Sequence, residues 1–324
     1  MNLKNIPKVE LHLHLDGSVR LDTASKLTGK SIEEVRSLMI AKEKCHDLNE
    51  YLTKFNLANE IMQSQENLIR IAKELVEDLK NDNVIYAEVR FAPLLHTKKG
   101  LTGEKVIEAV LLGLKDEDLK VNLILCMMRQ FNFEDNLKTI ELASKYLDKG
   151  VVAIDLAGAE ALYPTASFEK LFQIAKDKNI PFTIHAGEAD GKDSILSAIN
   201  FKTKRIGHGV RCIEDNETLN IIKKNNITLE VCPTSNIQTG IFENYYDHPI
   251  KKLYDMNVLV TINVDNMTVS NIDLTQEYEK LVKIFNLNIE DLKKINLNAI
   301  DAAFLTDKEK QFYKIIINNY KNNC

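Results

Sequence analysis

The chain has 324 residues, with 42 basic and 47 acidic side chains and a formal net charge of −5. Hydrophobic residues make up 44% of it, which is enough for a sizeable core and excludes a disordered chain. The mild acidity excludes the concentrated basic face of a nucleic-acid-binding protein.

The N-terminal residues, the apolar stretches and the cysteines indicate the cellular compartment. Residues 1–7 lack the apolar core of a secretory signal, and no stretch approaches the roughly eighteen apolar residues of a membrane span. Five cysteines without C-x-x-C spacing exclude a disulfide framework and a thiolate zinc site, and they are typical of a reduced cytosol. We therefore expect a cytoplasmic protein with no membrane or nucleic-acid partner.

Short apolar runs alternate with long amphipathic stretches along the chain. The predicted strands are Val9–Leu15, Val84–Ala92, Val121–Met127, Val151–Leu156, Phe182–His185, Arg205–Gly209, Thr228–Cys232 and Val258–Val264. Apolar residues at every third or fourth position predict helices between them, at Glu66–Lys80, Gly103–Asp116, Asn136–Leu147, Phe168–Lys178 and Glu217–Asn225. Eight apolar strands followed by helices predict an α/β fold, the (β/α)₈ TIM barrel. An open doubly wound sheet is the alternative that this pattern leaves open.

Two segments exceed what a plain barrel needs. Residues 16–83 are too many for one crossover and predict a helical insertion after the first strand, with helices at Leu21–Leu27, Ser31–Ile40 and Leu48–Leu57. A C-terminal helical extension begins at Asp273, with helices at Ile289–Leu297 and Asp307–Tyr320. The length allows two domains at about 100–200 residues each, but we expect residues 1–324 to form one decorated barrel domain with the insertion as a lid.

The first predicted strand carries polar residues on one face. His12, His14 and Asp16 are spaced two apart, so their side chains point the same way, while the intervening leucines point toward the covering helices. In a barrel the polar face is the interior, at the end of the strand where active sites form. Burying these groups without a partner is costly, so the pattern favours a divalent metal over the alternative of a solvated edge strand.

Three further predicted strands end in ionisable residues. The fifth strand ends at His185, with Glu188 three residues later; the sixth ends at His208, and Asp265 and Asn266 follow the eighth. Catalytic residues are distributed over several strand ends in this way in TIM barrels. Three neutral imidazoles and one carboxylate favour zinc over magnesium or calcium.

Other polar residues do not follow this pattern. The remaining histidines, His46, His96 and His248, are predicted to be surface or loop residues. Asp155 and Glu160 lie near Gly158 at the end of the fourth strand. This glycine either lets a ligand approach the backbone or serves a turn, and the local sequence leaves both open.

These segments together resemble the adenosine deaminase branch of the metal-dependent amidohydrolase barrels. The pair H-A-G-E and H-G-x-R is very specific to this branch, and the match covers essentially the whole chain. The matching motifs are His12-Leu13-His14-Leu15-Asp16-Gly17-Ser18, Asp155-Leu156-Ala157-Gly158, His185-Ala186-Gly187-Glu188, Arg205-Ile206-Gly207-His208-Gly209-Val210-Arg211, Cys232-Pro233-Thr234-Ser235-Asn236, Thr239-Gly240 and Asn263-Val264-Asp265-Asn266.

The resemblance implies one Zn²⁺ per chain. The implied metal ligands are His12, His14, His185 and Asp265. The implied catalytic residues are Glu188, as the general acid on purine N1, with His208 and Asp265, which orient the attacking water. A general acid of this kind contributes roughly 10²–10⁴-fold.

The resemblance also implies the substrate and its contacts. The implied reaction is hydrolytic deamination of adenosine and 2′-deoxyadenosine to inosine and 2′-deoxyinosine plus ammonia, in purine salvage. The partner is thus a small, neutral purine nucleoside. The implied binding residues are His14 at the substrate's border, Asp16 facing the ribose, the Gly158 backbone on the purine, and Asn266.

Other functions stay open beside this one. Many family members carry a second aspartate where this chain has Asn266, although an amide still offers N–H donors to a ring nitrogen. Adenine deaminase and deaminases of AMP or N6-modified AMP are the enzyme alternatives. A barrel without catalysis, serving as a binding module, is the non-enzymatic alternative, but such a protein should have lost a ligand or the acid.

Overall fold

A closed barrel of eight parallel strands forms the centre of the molecule, in a computed structural model that describes residues 2–321. Two four-stranded ladders, β1 to β4 and β5 to β8, follow chain order. The strands are β1 Lys8–His14, β2 Val84–Phe91, β3 Lys120–Met128, β4 Val151–Ala157, β5 His185–Ala186, β6 Arg205–His208, β7 Thr228–Val231 and β8 Leu259–Ile262.

Backbone hydrogen bonds join the two ladders at both seams. His14 N donates to Asp265 O (2.8 Å) and Asp265 N donates to His12 O (2.9 Å), which connects β1 to the end of β8. Ile154 N donates to Pro181 O (3.0 Å), which connects β4 to the segment before β5. The barrel prediction is therefore confirmed and the open sheet is excluded.

The fifth strand is shorter and later than predicted. The expected span was Phe182–His185, whereas the strand is His185–Ala186 and Phe182 makes only an isolated bridge to Ile154. Pro181 precedes this segment and has no N–H to extend the ladder. The functional end of the strand, at His185, is nevertheless where the sequence placed it.

Helices cover the outside of the barrel and its two extensions. The predicted helix Leu48–Leu57 is broken by a 3₁₀ turn at Thr53–Phe55. Three short helices, at Lys192–Asn200, Pro233–Gln238 and Ile250–Asp255, have no counterpart among the predicted helices. The helices are α1 Leu21–Thr28, α2 Ile32–Met39, α3 Leu48–Leu52, α4 Asn56–Ile61, α5 Gln65–Asn81, α6 Gly103–Leu114, α7 Phe133–Tyr146, α8 Glu169–Asp177, α9 Lys192–Asn200, α10 Asn216–Lys224, α11 Pro233–Gln238, α12 Ile250–Asp255, α13 Leu274–Phe285, α14 Ile289–Ala302 and α15 Asp307–Asn319.

The helices begin where side chains can cap them. Ser31 accepts from Glu34 N while Glu34 reaches back to the Ser31 N–H at the start of α2, and Thr306 and Glu309 form the same capping box at α15. Each box satisfies two backbone donors that a helix leaves unpaired. The insertion after β1, α1 to α5, and the C-terminal helices therefore have local signals of their own, and both predicted extensions are confirmed. Among residues 2–321, no helix is long and apolar enough to span a membrane.

The barrel interior holds buried ion pairs beneath the strand ends. Arg90 Nη1 donates to Asp155 Oδ2 (2.9 Å) and Arg90 Nη2 to Glu230 Oε2 (2.8 Å). Arg205 Nε donates to Glu230 Oε1 (2.7 Å). Buried charges are tolerated only when they are paired and hydrogen-bonded, and these pairs hold two carboxylates directly under the histidines described next.

Candidate active site

The predicted strand-end side chains converge at one end of the barrel. Ligand atoms of His12, His185, His208 and Asp265 all lie within 4.8 Å of one another, and all four residues are buried. His14 Nε2 lies 3.3 Å from His185 Nε2 and 3.4 Å from Asp265 Oδ1. Residues separated by up to about 250 positions in the chain thus surround one point.

This cluster has the properties of a metal centre. His12 Nδ1 lies 2.9 Å from Glu230 Oε2 and His185 Nδ1 lies 2.8 Å from Asp155 Oδ2. Carboxylates on the outer nitrogens orient metal-binding imidazoles in this way. His12 Nε2 is buried with no hydrogen-bond partner in the described part of the chain. A cation would satisfy that nitrogen, and the nitrogen-rich donor set suits zinc.

The backbone is strained where it presents two of these side chains. His208 and Asp265 have φ values of 59° and 67°, in the left-handed region that residues with a Cβ rarely occupy. Gly207 has no room for a side chain, since a Cβ there would lie 2.9 Å from His12 Cε1. Strained backbone of this kind concentrates at functional sites, where the surrounding structure holds it in place.

Asp265 is held as a carboxylate. Ser235 Oγ donates to its Oδ2 (2.6 Å). Burial alone would raise the pKa of the Asp265 carboxyl, but its contacts with the imidazoles of His12, His14 and His208 hold that pKa below its usual range. Burial also lowers the pKa of His14 well below its ordinary value. The cluster at neutral pH therefore combines an anionic oxygen with a neutral imidazole, the form that binds metal.

Glu188 is a buried carboxyl of the opposite kind. Its Oε2 lies 3.5 Å from His208 Nε2. Burial raises the pKa of Glu188 well above its usual value, and the charges of Asp265 and Glu160 raise that pKa further. A carboxylic acid kept neutral in this way can donate its proton to a substrate.

Glu160 fixes the loop that carries Glu188. Its two carboxylate oxygens accept the backbone N–H groups of residues 187 to 190, at 2.7 to 3.0 Å, together with the Ser194 hydroxyl. Glu160 is 1% exposed, so these bonds are shielded from water. This carboxylate orders the loop and, through it, the position of the acid.

A cavity of about 310 Å³ opens onto the cluster. Its lining includes all four predicted substrate-binding residues: His14, Asp16, Gly158 and Asn266. The helical insertion covers it with residues of α3 and α4 and the turn between them, including Tyr51 and Phe55. Its volume is that of an ordinary small-molecule site.

Two of the predicted binding residues are polar groups held in an apolar setting. Asp16 is buried, its Oδ1 has no partner in the described residues, and burial raises its pKa to about 6. Asn266 Nδ2 donates to the Tyr51 hydroxyl (3.1 Å). The insertion is thereby connected directly to the end of β8. Gly17 packs against the Asn266 side chain and leaves no room for a Cβ.

Comparison with known proteins agrees with this geometry. The sequence profile of the adenosine deaminase family matches residues 7–318. Adenosine deaminases from Clostridium botulinum and Clostridium perfringens are 44% and 42% identical over 327 and 330 residues, covering 97% and 98% of this chain and 99% of each relative. The chain belongs to the adenosine deaminase family. It is a hydrolytic deaminase, which confirms the expected enzyme and rules against the non-catalytic barrel.

The structure is also similar to a solved structure of another deaminase. The N6-methyl-AMP deaminase from Arabidopsis thaliana superposes with a TM-score of 0.88 at 29% identity, covering 99% of both chains. The fold is therefore shared with this N6-methyl-AMP deaminase over nearly the full length of both chains.

Of the three remaining histidines, which are predicted to be surface or loop residues, only His46 lies at the surface, and His248 lies in the loop between Asp247 and Ile250. The His46 side chain is 89% exposed, whereas His96 and His248 are 0% and 2% exposed. His96 stacks on Phe91 with ring centroids 5.5 Å apart. His248 bonds to Asn236 behind His208. Their polar sequence neighbours suggested exposure, but tertiary contacts between distant elements bury both rings.

Sequence reasoning also missed partners behind the site. Glu230 could have been found, because it is a charge inside the apolar strand β7 and alternation turns it into the barrel. Glu160 follows the fourth strand, but the local sequence does not indicate a role for it. Asn236 lies in one of the motifs that carry the resemblance, but the local sequence assigns it no role, since its partners His208 and His248 lie on other elements.

Proposed function

We propose that this chain is a zinc-dependent aminohydrolase of adenosine and 2′-deoxyadenosine that acts in the cytoplasm in purine salvage. The observation that carries the proposal is the juxtaposition of a neutral, buried Glu188 with a cluster of imidazoles and one carboxylate. Nucleophilic replacement of an aromatic amine needs both an activated water and an acid for the ring, and these are the two components. The four cysteines within the described residues are all buried and free, which supports a reducing compartment.

Four residues would hold the metal: His12, His14, His185 and Asp265. The carboxylates of Glu230 and Asp155 behind the first and third of these residues support this assignment. Zinc, when bound, acts as a Lewis acid and lowers the pKa of a bound water to about 7. Asp265, ionised and anchored by Ser235, accepts a hydrogen bond from the attacking water and aims it at C6 of the purine together with His208.

Glu188 acts on the other side of the reacting centre. Its protonated carboxyl donates to N1 of the purine, so that electron density is drawn from C6 as the water attacks. The attacking water gives its proton to Asp265, which passes that proton to the amino group on C6, so that this group leaves as ammonia. The C6 hydroxyl returns a proton to Glu188, so that inosine remains and both carboxyl groups regain their starting protonation states. Glu160 keeps the Glu188 loop in place during this exchange, and burial keeps the acid protonated at neutral pH.

The remaining cavity residues bind the nucleoside. Asp16 and His14 face the ribose side, the Gly158 backbone approaches the purine, and Asn266 offers an amide donor to a ring nitrogen. Within the described lining of the cavity, Lys98 is the single lysine or arginine. One cation favours a neutral nucleoside, because phosphate recognition commonly uses a cluster of cationic donors.

N6-methyl-AMP or AMP is the second candidate substrate. The Arabidopsis thaliana neighbour acts on N6-methyl-AMP by name, and Lys98 is the group that would meet a phosphate. Lys98 lines the cavity together with the insertion residues Asn56 and Asn59.

Ammonia release from adenosine, 2′-deoxyadenosine, adenine, AMP and N6-methyl-AMP tests the proposal directly. We expect the two nucleosides to have the highest kcat/KM, and metal analysis to find one zinc per active chain. Faster turnover of adenine or of either nucleotide would overturn the substrate assignment. Full activity in protein free of any metal would overturn the mechanism.

A further inference from the structure

The Nδ1 atoms of His12, His185 and His208 point away from the cavity and have different neighbours. His12 Nδ1 and His185 Nδ1 each lie beside a carboxylate, at 2.9 Å and 2.8 Å. His12 Nδ1 forms a hydrogen bond with Glu230, whereas His185 Nδ1 lies at ion-pair distance from Asp155. A carboxylate favours the tautomer that has its proton on the nearby nitrogen, so both rings favour a lone pair on Nε2. His208 Nδ1 instead lies 3.0 Å from the side-chain amide nitrogen of Asn236. That difference separates His208 from the two other rings.

A chain of hydrogen bonds determines how the Asn236 amide is oriented. The backbone N–H of Ile250 donates to His248 Nδ1 (3.2 Å). A backbone N–H is always a donor, so His248 Nδ1 must be the acceptor nitrogen of a neutral ring. The proton of His248 is then on Nε2, which donates to Asn236 Oδ1 (3.2 Å). Asn236 consequently presents its NH₂ group, not its oxygen, to His208.

The surroundings keep all three side chains in these states. Asn236, His208 and His248 are 0%, 1% and 2% exposed, so water does not offer alternative partners. Burial lowers the pKa of His248 to about 3, which leaves its ring neutral under ordinary conditions. Asn236 lies on α11 and His248 lies just before α12, so two elements outside the barrel converge behind the strand end that carries His208.

The two ring nitrogens of His208 therefore have different hydrogen-bonding roles. Its Nδ1 accepts the Asn236 N–H and therefore carries no proton. The neutral ring must then carry its proton on Nε2, which is the nitrogen that faces the site, 3.5 Å from Glu188 Oε2. A protonated nitrogen has no lone pair for a metal and cannot accept a proton.

We propose that Asn236 and His248 are positioning residues that hold His208 in its Nε2–H tautomer, so that His208 donates a hydrogen bond to the attacking water. This inference rests on the proposed function for the identity of that water. It also separates His208 from the other members of the four-residue cluster: His208 is a donor aimed at the reactant, and the ligand positions belong to His12, His14, His185 and Asp265.

The tautomer is measurable in the wild-type holoenzyme. Zinc-loaded protein with ¹⁵N-labelled histidine gives long-range ¹H–¹⁵N correlations that distinguish a protonated from an unprotonated ring nitrogen. His208 is assigned by the signal that disappears in His208→Asn. We expect Nε2 to be the protonated nitrogen, and a ring protonated on Nδ1 or on both nitrogens would overturn the inference. This measurement needs neither substrate nor turnover, and it is made on protein in which Asn236 and His248 are unchanged.

Kinetics of Asn236→Asp test the consequence for catalysis. A carboxylate beside His208 Nδ1 favours the opposite tautomer, so the donor toward the water is lost. We expect kcat to fall about 10²–10³-fold, the usual cost of removing one donor from a reacting oxygen, with KM and zinc content unchanged because Asn236 does not line the cavity. Asn236→Asp should also move the His208 signal to the Nδ1–H pattern.

The matched control is Asn296→Asp. Asn296 is 1% exposed and its Oδ1 accepts from Val9 N (2.8 Å), at the opposite end of β1 from His14. This variant buries the same extra carboxylate without contacting Asn236, His208 or His248, and it should keep the wild-type kcat. Equal losses in both variants, or a wild-type kcat in Asn236→Asp, would overturn the inference. Neither outcome would change the zinc content or the adenosine turnover of the wild-type protein. Failure of the inference about Asn236 and His248 is therefore distinguishable from failure of the proposed function.

Discussion

Glu160→Gln is the substitution that most directly tests how the loop controls the acid. The carboxylate accepts four backbone N–H groups and one hydroxyl, all from residues 187 to 194. Glutamine has the same shape but keeps one oxygen only. Its NH₂ group must then face donors, either the three N–H groups around Oε2 or the Gly187 N–H and Ser194 hydroxyl around Oε1.

The expected size of the effect follows from that count. The less costly orientation keeps the oxygen on the three N–H groups and turns the NH₂ group toward Gly187 N and the Ser194 hydroxyl, which can rotate to accept. At least one hydrogen bond to a charged acceptor is lost and one buried N–H is left unpaired, which together destabilise the fold by about 3 kcal/mol. Because Glu160 is 1% exposed, solvent screening does not reduce this figure appreciably.

The same substitution changes the acid-base behaviour of the site. After burial and Asp265, the negative charge of Glu160 is the next cause that raises the pKa of Glu188. Removing this charge lowers that pKa. Because the protonated form of Glu188 is the active one, activity is lost as pH rises through its pKa. The alkaline limb of the profile of kcat/KM against pH should therefore move to lower pH in Glu160→Gln.

Two measurements on the purified variant check this reasoning. Urea unfolding gives the loss of stability, and the pH dependence of kcat/KM for adenosine gives the shift of the alkaline limb. The control is Glu277→Gln, which also removes one buried carboxyl but one that does not line the cavity, and its pH profile should match the wild type. An alkaline limb that stays in place or moves to higher pH in Glu160→Gln would refute the electrostatic argument.

Three further predictions concern single side chains. Glu188→Gln should bind zinc normally by metal analysis and lower kcat about 10²–10⁴-fold; retained turnover would rule out its role as the acid. Asn266→Ala should lose much of the adenosine deaminase activity, whereas Asn266→Asp should keep it, and wild-type kinetics in the alanine variant would contradict a contact with the purine. Burial raises the pKa of Glu277 from 4.5 to about 7. Below pH 4.5 this carboxyl is protonated in both the folded and the unfolded chain and costs no stability, whereas its ionisation destabilises the folded chain increasingly as pH rises to 7. Glu277→Gln should therefore be more stable than the wild type by about 3 kcal/mol above pH 7 and equally stable at low pH, with a pH-independent difference counting against this assignment.

The sequence by itself determined the barrel and the residues at its catalytic end. Apolar strands that alternate with amphipathic helices leave few solutions, and the two-residue period of a strand places His12, His14 and Asp16 on one face before any contact is known. Local signals of this kind also located Glu188, His208 and Asp265, each a polar residue that follows an apolar run. Such patterns are readable because they depend on neighbours in the chain.

Tertiary structure alone decided what stands behind those residues. Glu160 binds a loop 27 to 30 positions away, and Asn236 joins His208 to His248 from a separate helix. The burial of His96 and His248 was decided in the same way, by elements that meet only in the folded chain. No local period encodes such contacts, because their partners are brought together by closure of the barrel. The strand ends determine which groups reach the cavity, and the closed barrel determines their protonation, orientation and shielding from water.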